Sequence, residues 1–481
     1  MSSSDPQNNR ETLVMKFGGT SVGSPEAMGQ TVSIILAEKN QWKNVVVVTS
    51  ALNGVTDTLL KMATLIPADE PHLLKELASE LIGRHNQIAD RLIADEKSRA
   101  NVSRDIHEII DQVVNLCQAI SVLGESTPRV IDTIASAGER MCVRLLAAAV
   151  QAQGVPAEGV EATRLIRTDD HYTDAHPDLA RTKQMTCSAL KPMLEKGVIP
   201  IITGFIAATE NGHITTLGRG GSDYSAALIG AALPADEVWI YTDVDGVMTA
   251  DPRLVPDATT VPVCSYREIA ELAYYGAKVL HPKTIRPVIE AGIGLRVCNT
   301  FNPSHPGTRL VSELEARDGV IKAITTIRGL QLVTLEGRGM LGVPGVAART
   351  FETVAKLGTS VPLITQASSE QSICFAAPTA SVQGVLEMLK TVFSKELESR
   401  DIDRVWATDE VGIVTVVGEG MRSTPGVAGR VFTALGENKV NVIAIAQGSS
   451  EVSISLVVTA AAVGQALRVL HQLIKNPFAL N

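Results

Sequence analysis

The chain has 481 residues, 45% of them hydrophobic and 20% charged, with a formal net charge of −9. That length exceeds one hydrophobic core and predicts two to four domains, and the acidic balance argues against a nucleic-acid-binding surface. No apolar run approaches the roughly 20 residues of a membrane span. The six cysteines are scattered, with no C-x-x-C pair and no histidine cluster at ligand spacing, so reduced core cysteines, a cytoplasmic location and no protein-built metal centre are expected.

Residues 1–11 are polar and read as a disordered tail, not a signal peptide. Leu13–Met15 then form a short apolar run feeding Lys16-Phe17-Gly18-Gly19-Thr20-Ser21, and helical spacing follows from Glu26 to Leu36. Strand, glycine turn and helix start together suit an anion, with Lys16 as a charge beside it. The same pattern also serves as an ordinary strand–helix connection. It is not the G-x-x-x-x-G-K-[ST] loop. Val45–Val48 is apolar on both faces, as in a buried parallel strand, and ends in a small-residue loop, 49–57, containing Thr56. Open α/β sheets bind ligands at such strand ends.

From Pro71 to Leu123 the spacing is helical, and strands are expected at Arg129–Ile134, Ile199–Phe205, His213–Leu217 and Val238–Thr242. Strands alternating with helices predict an α/β layered sheet. Ser136-Ala137-Gly138-Glu139-Arg140-Met141 puts Glu139 at a helix start. There it either accepts a substrate ammonium or compensates the helix dipole. In Gly218-Arg219-Gly220-Gly221-Ser222-Asp223-Tyr224, Arg219 offers a planar fork for a carboxylate. Asp223 caps the next helix or organises Lys16. The stretch from Tyr241 to Arg253 is either a nucleotide base and ribose site or turn chemistry. Gly276–Pro282 adds Lys278.

Near residues 310–325 the character changes. Gly339-Met340, Pro344-Gly345-Val346-Ala347, Arg349, Phe351, Gln366, Ser368-Ser369-Glu370 and Ser372-Ile373 recur at Gly420-Met421, Pro425-Gly426-Val427-Ala428, Arg430, Phe432, Gln447, Ser449-Ser450-Glu451 and Ser453-Ile454. The constant offset marks two duplicated α+β domains of the split βαβ kind. The matched Pro-Gly turns, each with a Gln and Ser-Ser-Glu on the following strand, point to a ligand site for a carboxylate-bearing molecule.

Five stretches taken together, KFGGTS, SAGERM, GRGGSDY, TDVDGVMTADPR and GAKVLHP, resemble the aspartate kinases (aspartokinases) of the amino-acid-kinase superfamily from about residue 12 onward. The repeats resemble ACT domains. Their Gln-x-Ser-Ser-Glu motif is similar to that in the kinase half of bifunctional aspartate kinase–homoserine dehydrogenases, although no G-x-G-x-x-G opens a Rossmann unit before Asn481.

The resemblance implies a three-layer α/β catalytic domain with a mainly parallel sheet over 12–312, then ferredoxin-like ACT domains at 320–400 and 405–481. It implies a phosphotransferase with a carboxyl acceptor, making 4-phospho-L-aspartate from L-aspartate and ATP with Mg²⁺ held mainly through the phosphates. This is the first step toward lysine, threonine and methionine. Lys16, Gly18, Gly19, Thr20 and Ser21 would handle the phosphates, and Ser222, also ATP-binding, would lie with Asp223 between the two substrates. Thr242, Asp243, Met248, Arg253, Lys278 and Val279 would line the nucleotide site. Thr56, Glu139 and Arg219 would hold aspartate, with Lys16 and Asp223 as the catalytic pair. Met248 departs from members with tyrosine there, and a thioether cannot repeat a phenol's hydrogen bond. The attacking β-carboxylate is ionised at neutral pH, so no general base is required.

Effector binding, by threonine or alternatively lysine, would involve Pro344, Gly345, Gln366, Pro425, Gly426 and Gln447 in a homodimer or larger homo-oligomer. Rival readings are a kinase acting on glutamate or N-acetylglutamate and a non-catalytic amino-acid sensor. A dinucleotide dehydrogenase is disfavoured because no G-x-G-x-x-G opens a Rossmann unit.

Overall fold

The computed structural model describes residues 11–64, 71–274, 280, 282–312, 320–367, 370–421, 424–447 and 452–475. In chain order the elements begin with β1 (Thr12–Phe17), α1 (Gly19–Val22), α2 (Pro25–Lys39), β2 (Asn44–Thr49), α3 (Val55–Thr64), α4 (Pro71–Leu92) and α5 (Glu96–Leu123). There follow α6 (Pro128–Ala135), α7 (Ala137–Gln151), β3 (Ala157–Val160), β4 (Arg167–Thr168), α8 (Leu179–Glu195), β5 (Ile199–Thr203), β6 (Ile206–Thr209), β7 (Ile214–Thr216) and α9 (Gly221–Ala232). Next come β8 (Glu237–Thr242), β9 (Val263–Ser265), α10 (Tyr266–Tyr274), α11 (Pro282–Ala291), β10 (Gly294–Asn299) and β11 (Thr308–Val311).

The described residues divide into two compact units, one within Met1–Val247, Pro262–Tyr266 and Lys278–Glu313, the other within Met248–Val261, Arg267–Ala277 and Leu314–Asn481. The first is built on an eight-stranded sheet of order β3-β5-β2-β1-β8-β10-β11-β9. Its ladders are parallel except between β10 and β11. Alternation along β1 divides its side chains between the two faces of the sheet. Leu13, Met15 and Phe17 join the core cluster that includes α2, α4, α5 and α7 residues, and Phe17 stacks on Tyr241 with ring centroids 4.7 Å apart. Lys16 therefore takes the opposite face, shared with Val14, over which α9 lies.

The run Arg129–Ile134, expected as a strand, is the helix α6. Thr127 caps it, accepting from Val130 N at 3.4 Å, and Pro128 opens it. Val130, Ile131, Ile134 and Ala135 have the spacing of one helical face, and the Thr-Pro start outweighs the β-branched content. The other three expected strands form at β5, β7 and β8. All six cysteines are free thiols, four of them buried, and no described helix is long and apolar enough to cross a membrane.

The second unit adds β12 (Ala323–Glu336), α12 (Val346–Lys356), β13 (Leu363–Gln366), β14 (Ser372–Pro378), α13 (Thr379–Val392), α14 (Ser394–Ser399), β15 (Arg404–Val417), α15 (Val427–Glu437), β16 (Ala444–Ala446), β17 (Ser453–Thr459) and α16 (Val463–Lys475). The two copies share one six-stranded sheet, β13-β14-β12-β15-β17-β16. β14 pairs only with Leu330–Glu336 of β12, and β17 only with Val411–Val417 of β15, whereas β12 and β15 pair along most of their length. Each repeat thus completes its sheet with half a strand of the other, and the register shifts between Ile327 and Leu330 where the halves meet.

Within the same unit, Ala250 and Val255 enter the core formed by α15, α16 and the ends of β12 and β15. Glu268 of α10 accepts from Glu419 N at 2.8 Å, and Glu271 accepts from the Ser453 hydroxyl at 2.7 Å. These contacts account for the grouping of 248–261 and 267–277 with the repeats.

Candidate active site

At the C-terminal ends of β1 and β2 lies a cleft of about 380 Å³. Its lining includes Lys16, Gly19, Thr56, Glu139, Arg219, Ser222 and Asp223, brought together from separated segments of the chain. Lys16 is buried on the α9 face of β1, and its Nζ lies 2.6 Å from Asp223 Oδ1 in the first turn of α9. The helix cap itself is Gly220, so of the two readings of Asp223 the structure has the one that engages the lysine. A Cβ at position 18 would lie 3.4 Å from Lys16 Nζ, so glycine there leaves the ammonium open on its turn side.

Glu139 is 3% exposed, in the first turn of α7. Its Oε1 accepts from Ala51 N at 3.1 Å, while Oε2 is buried without a hydrogen-bond partner. Burial pushes its carboxyl up to about 8, against the lowering effects of the Ala51 amide and the Lys16 charge. A buried carboxyl oxygen without a partner, on a residue that lines a cleft, costs free energy until a polar group pairs with it. Gly138 makes this geometry possible: a Cβ there would fall 2.7 Å from Ala51 Cβ, so only glycine lets α7 close on the loop after β2. That loop ends at Gly54 and not, as expected, at Asp57, leaving Thr56 in the first turn of α3. Arg219 is exposed across the cleft, in the turn between β7 and α9, where Gly218 adopts a left-handed φ of +71°. A buried carboxyl with an unpartnered oxygen, an exposed guanidinium fork and a lysine thus share one cleft. That donor set suits a zwitterionic amino acid beside a phosphate chain.

Other expected site residues stand apart from this lining. The Ser21 hydroxyl is buried and hydrogen-bonded to Thr300 Oγ1 at 2.7 Å, so it braces the turn rather than facing the cleft. Gly18 N donates to Tyr241 O at 3.3 Å, tying the turn to the end of β8, and Thr20 is half-buried in α1. At the end of β8, the Thr242 hydroxyl donates to Asp243 Oδ1 at 3.1 Å. Met248 and Arg253 fall in the second unit. There Met248 bridges Thr260, and Arg253 forks onto Asp251 at 2.7 and 3.0 Å. Lys278 and Val279 lie outside the described residues, as do Ser368, Ser369, Ser449, Ser450 and Glu451. Among cleft residues not singled out from the sequence are Asn53 and Phe205. Phe205 carries a positive φ of +66°, held by Ser225 Oγ at 3.0 Å, and nothing in its immediate sequence announces that conformation.

In the repeats, Pro344, Gly345, Pro425, Gly426, Gln366 and Gln447 are all exposed. Gly345 and Gly426 cap α12 and α15 with matching left-handed φ values of +91° and +85°. Glu370 Oε2 accepts from Gly342 N at 3.2 Å, linking the Ser-Ser-Glu segment of the first copy to the loop before its Pro-Gly turn.

The model of the amino acid kinase family matches residues 11–299, and that of an ACT domain matches 333–393 and 414–473. The bifunctional aspartokinase/homoserine dehydrogenase of Haemophilus influenzae is 34% identical over 469 residues, covering 96% of this chain and 56% of that protein. Chloroplastic aspartokinase 2 of Arabidopsis thaliana is 32% identical, covering 96% of this chain and 84% of the relative. Among solved structures, E. coli aspartokinase III in complex with aspartate and ADP superposes with a TM-score of 0.80 at 30% identity, covering 96% of this chain and 99% of the other. The chain belongs to the amino acid kinase family, among the aspartokinases that carry ACT domains. It spans about half the length of the bifunctional relatives it matches.

Proposed function

We propose that this chain transfers the γ-phosphoryl group of ATP to the β-carboxylate of L-aspartate, giving 4-phospho-L-aspartate and ADP, the step that opens lysine, threonine and methionine synthesis. The observation that carries the reading is the pairing, in one cleft, of the orphan Glu139 Oε2 with the exposed Arg219 fork above Lys16. Glu139 receives the substrate ammonium, Arg219 a carboxylate, and Thr56 closes the same side. Lys16, aimed by Asp223, opposes the charge of the transferring phosphoryl group, and the turn from Gly18 to Ser21 with Ser222 supports the phosphates. Thr242, Asp243, Lys278 and Val279 are assigned to the nucleotide. Mg²⁺, held mainly through the phosphates, supplies charge neutralisation at the transferring group. The nucleophile arrives ionised, so the protein's task is to position two anions and offset their repulsion.

The ACT repeats provide feedback inhibition, with threonine as the effector through Gln366, Gln447 and the two Pro-Gly turns in a homodimer or larger assembly. The resemblance of the Gln-x-Ser-Ser-Glu motif to that in the kinase half of bifunctional aspartate kinase–homoserine dehydrogenases supports threonine. Lysine is the alternative, and E. coli aspartokinase III has been solved with lysine and aspartate. A coupled assay of ADP release should show turnover with aspartate and not with glutamate or N-acetylglutamate. Turnover of either rival in preference, or nucleotide binding with no turnover, would overturn the assignment. Titration of that activity with threonine and with lysine separates the effectors.

A further inference from the structure

Asp132 lies in α6 and is 1% exposed. Its Oδ2 accepts from Thr173 N at 2.9 Å and Thr216 N at 3.0 Å, and its Oδ1 from the Thr216 hydroxyl at 2.8 Å. All three partners are neutral, and burial outweighs them to raise the carboxyl above its ordinary range. A buried carboxylate with no cationic partner is costly to keep unless it holds something in place.

What it holds is visible from where its partners lead. On one side α6 runs through Ser136, whose N–H bonds to Asp132 O at 3.0 Å, straight into α7 and Glu139. On the other, Thr216 is the last residue of β7, and Arg219 follows in the turn. The third donor, Thr173, has a strained φ of +73°. It opens a segment in which Ala175 N donates to Thr216 O at 2.9 Å. In the same segment Asp174 packs so closely that a Cβ at Gly218 would meet its Oδ1 at 2.3 Å. One side chain therefore ties the element carrying the ammonium acceptor to the element carrying the carboxylate fork.

We propose that Asp132 is a positioning residue that sets the span between Glu139 and Arg219, and with it the placement of the amino-acid substrate. The inference rests on the aspartate reading of the cleft. It differs from a packing role in what it predicts: the amino-acid half of the site loosens while the nucleotide half, carried by the Lys16 turn, does not. With its amide oxygen kept on the two N–H groups, Asp132→Asn sets an NH₂ donor against the Thr216 hydroxyl, which loses its acceptor, and removes the carboxylate from the tie. It should raise KM for aspartate by about tenfold to a hundredfold, as small misplacements of substrate-holding groups do, and change the ADP dissociation constant, measured by calorimetry, by less than about twofold.

Thr216→Val, which removes one of the three bonds, should raise KM for aspartate severalfold, and Thr216→Ser should restore it. If Asp132→Asn does not fold, the Val/Ser pair carries the test. An unaltered aspartate KM in Asp132→Asn or in Thr216→Val overturns the proposal. So does an ADP affinity that falls in step with aspartate. Wild-type protein that does not turn over aspartate sinks the substrate assignment and this inference together, whereas normal wild-type turnover with unaltered variants sinks this inference alone.

Discussion

The cleft of the first unit and the Pro-Gly turns of the second are both glycine-bearing helix starts, yet their functional groups are treated in opposite ways. In the cleft Lys16 and Glu139 are buried and already committed, one to Asp223 and the other to the Ala51 amide. At the turns Pro344, Gly345, Pro425, Gly426 and both glutamines face solvent. The contrast teaches what each place is built for. A reacting group gains most where its dipoles are fixed before the substrate arrives and the dielectric is low. On the proposed reading an effector acts at the turns by binding one arrangement better than another, and exposed groups there are left for it to engage.

The sharpest break of that comparison is Lys16→Ala. Removing a preorganised charge from the transfer site should lower kcat by two to three orders of magnitude, with far-ultraviolet circular dichroism unchanged. A folded variant with near-normal kcat would mean the cleft is no more specialised than the turns.

Next in size is the pH dependence of Glu139. Its carboxyl is held up near 8, so below that value it is protonated and meets an ammonium without charge. The value of kcat/KM for aspartate should therefore climb about ninefold from pH 6 to 7, about fivefold more to pH 8, and level off above. Glu139→Gln should lie low and flat. Stability runs the other way. The folded-state value lies above the ordinary 4.5, so this group's contribution is fully present below about 4.5 and lost as pH rises through about 8. The melting advantage of Glu139→Gln over wild type should accordingly grow between pH 5 and 8.5. Parallel curves for the two proteins would remove the buried carboxylate from the argument.

Smaller again is Gly138→Ala, which sets a methyl 2.7 Å from Ala51 Cβ. Overpacking of this kind costs about 1–3 kcal/mol. It should lower Tm by several degrees and raise KM for aspartate by pushing α7 off Ala51 and the start of α3, which carries Thr56. The corresponding change at an exposed turn glycine, Gly345→Ala, meets no neighbouring atom within 4 Å, and its cost comes from the left-handed φ alone.

The same burial difference decides how much could be read from residues. The parallel strands around β1 followed from runs apolar on both faces, and the duplication from a constant offset. Both are periodic signals that survive without coordinates. The meeting of Lys16, Glu139 and Arg219 was reachable only through the resemblance, because those residues are separated by long stretches that no local pattern connects. Two features stayed hidden. Asp132 sat in a run whose β-branched residues read as strand, although Thr127-Pro128 carried the helix start. The exchange of strand halves between the repeats depends on pairing across the whole second unit, which duplicated sequence cannot reveal, since each copy by itself looks complete.

The smallest expected effects concern the glutamines, and they test whether the two turns are equivalent. Gln366 is the last residue of β13 and still in its ladder, opposite Ile373, whereas Gln447 falls one residue beyond β16. On the proposed reading Gln366→Ala and Gln447→Ala each raise the half-inhibiting threonine concentration by roughly five- to tenfold, about the worth of a hydrogen bond or two. The measurement is the ratio of rates with and without threonine in each variant. If each copy holds its own effector, the double variant should show two weakened phases. If one effector is shared, the double variant should shift no further than the more impaired single one. Should neither substitution move the curve, the matched turns are helix caps, and the symmetry between the copies is a record of duplication with no ligand behind it.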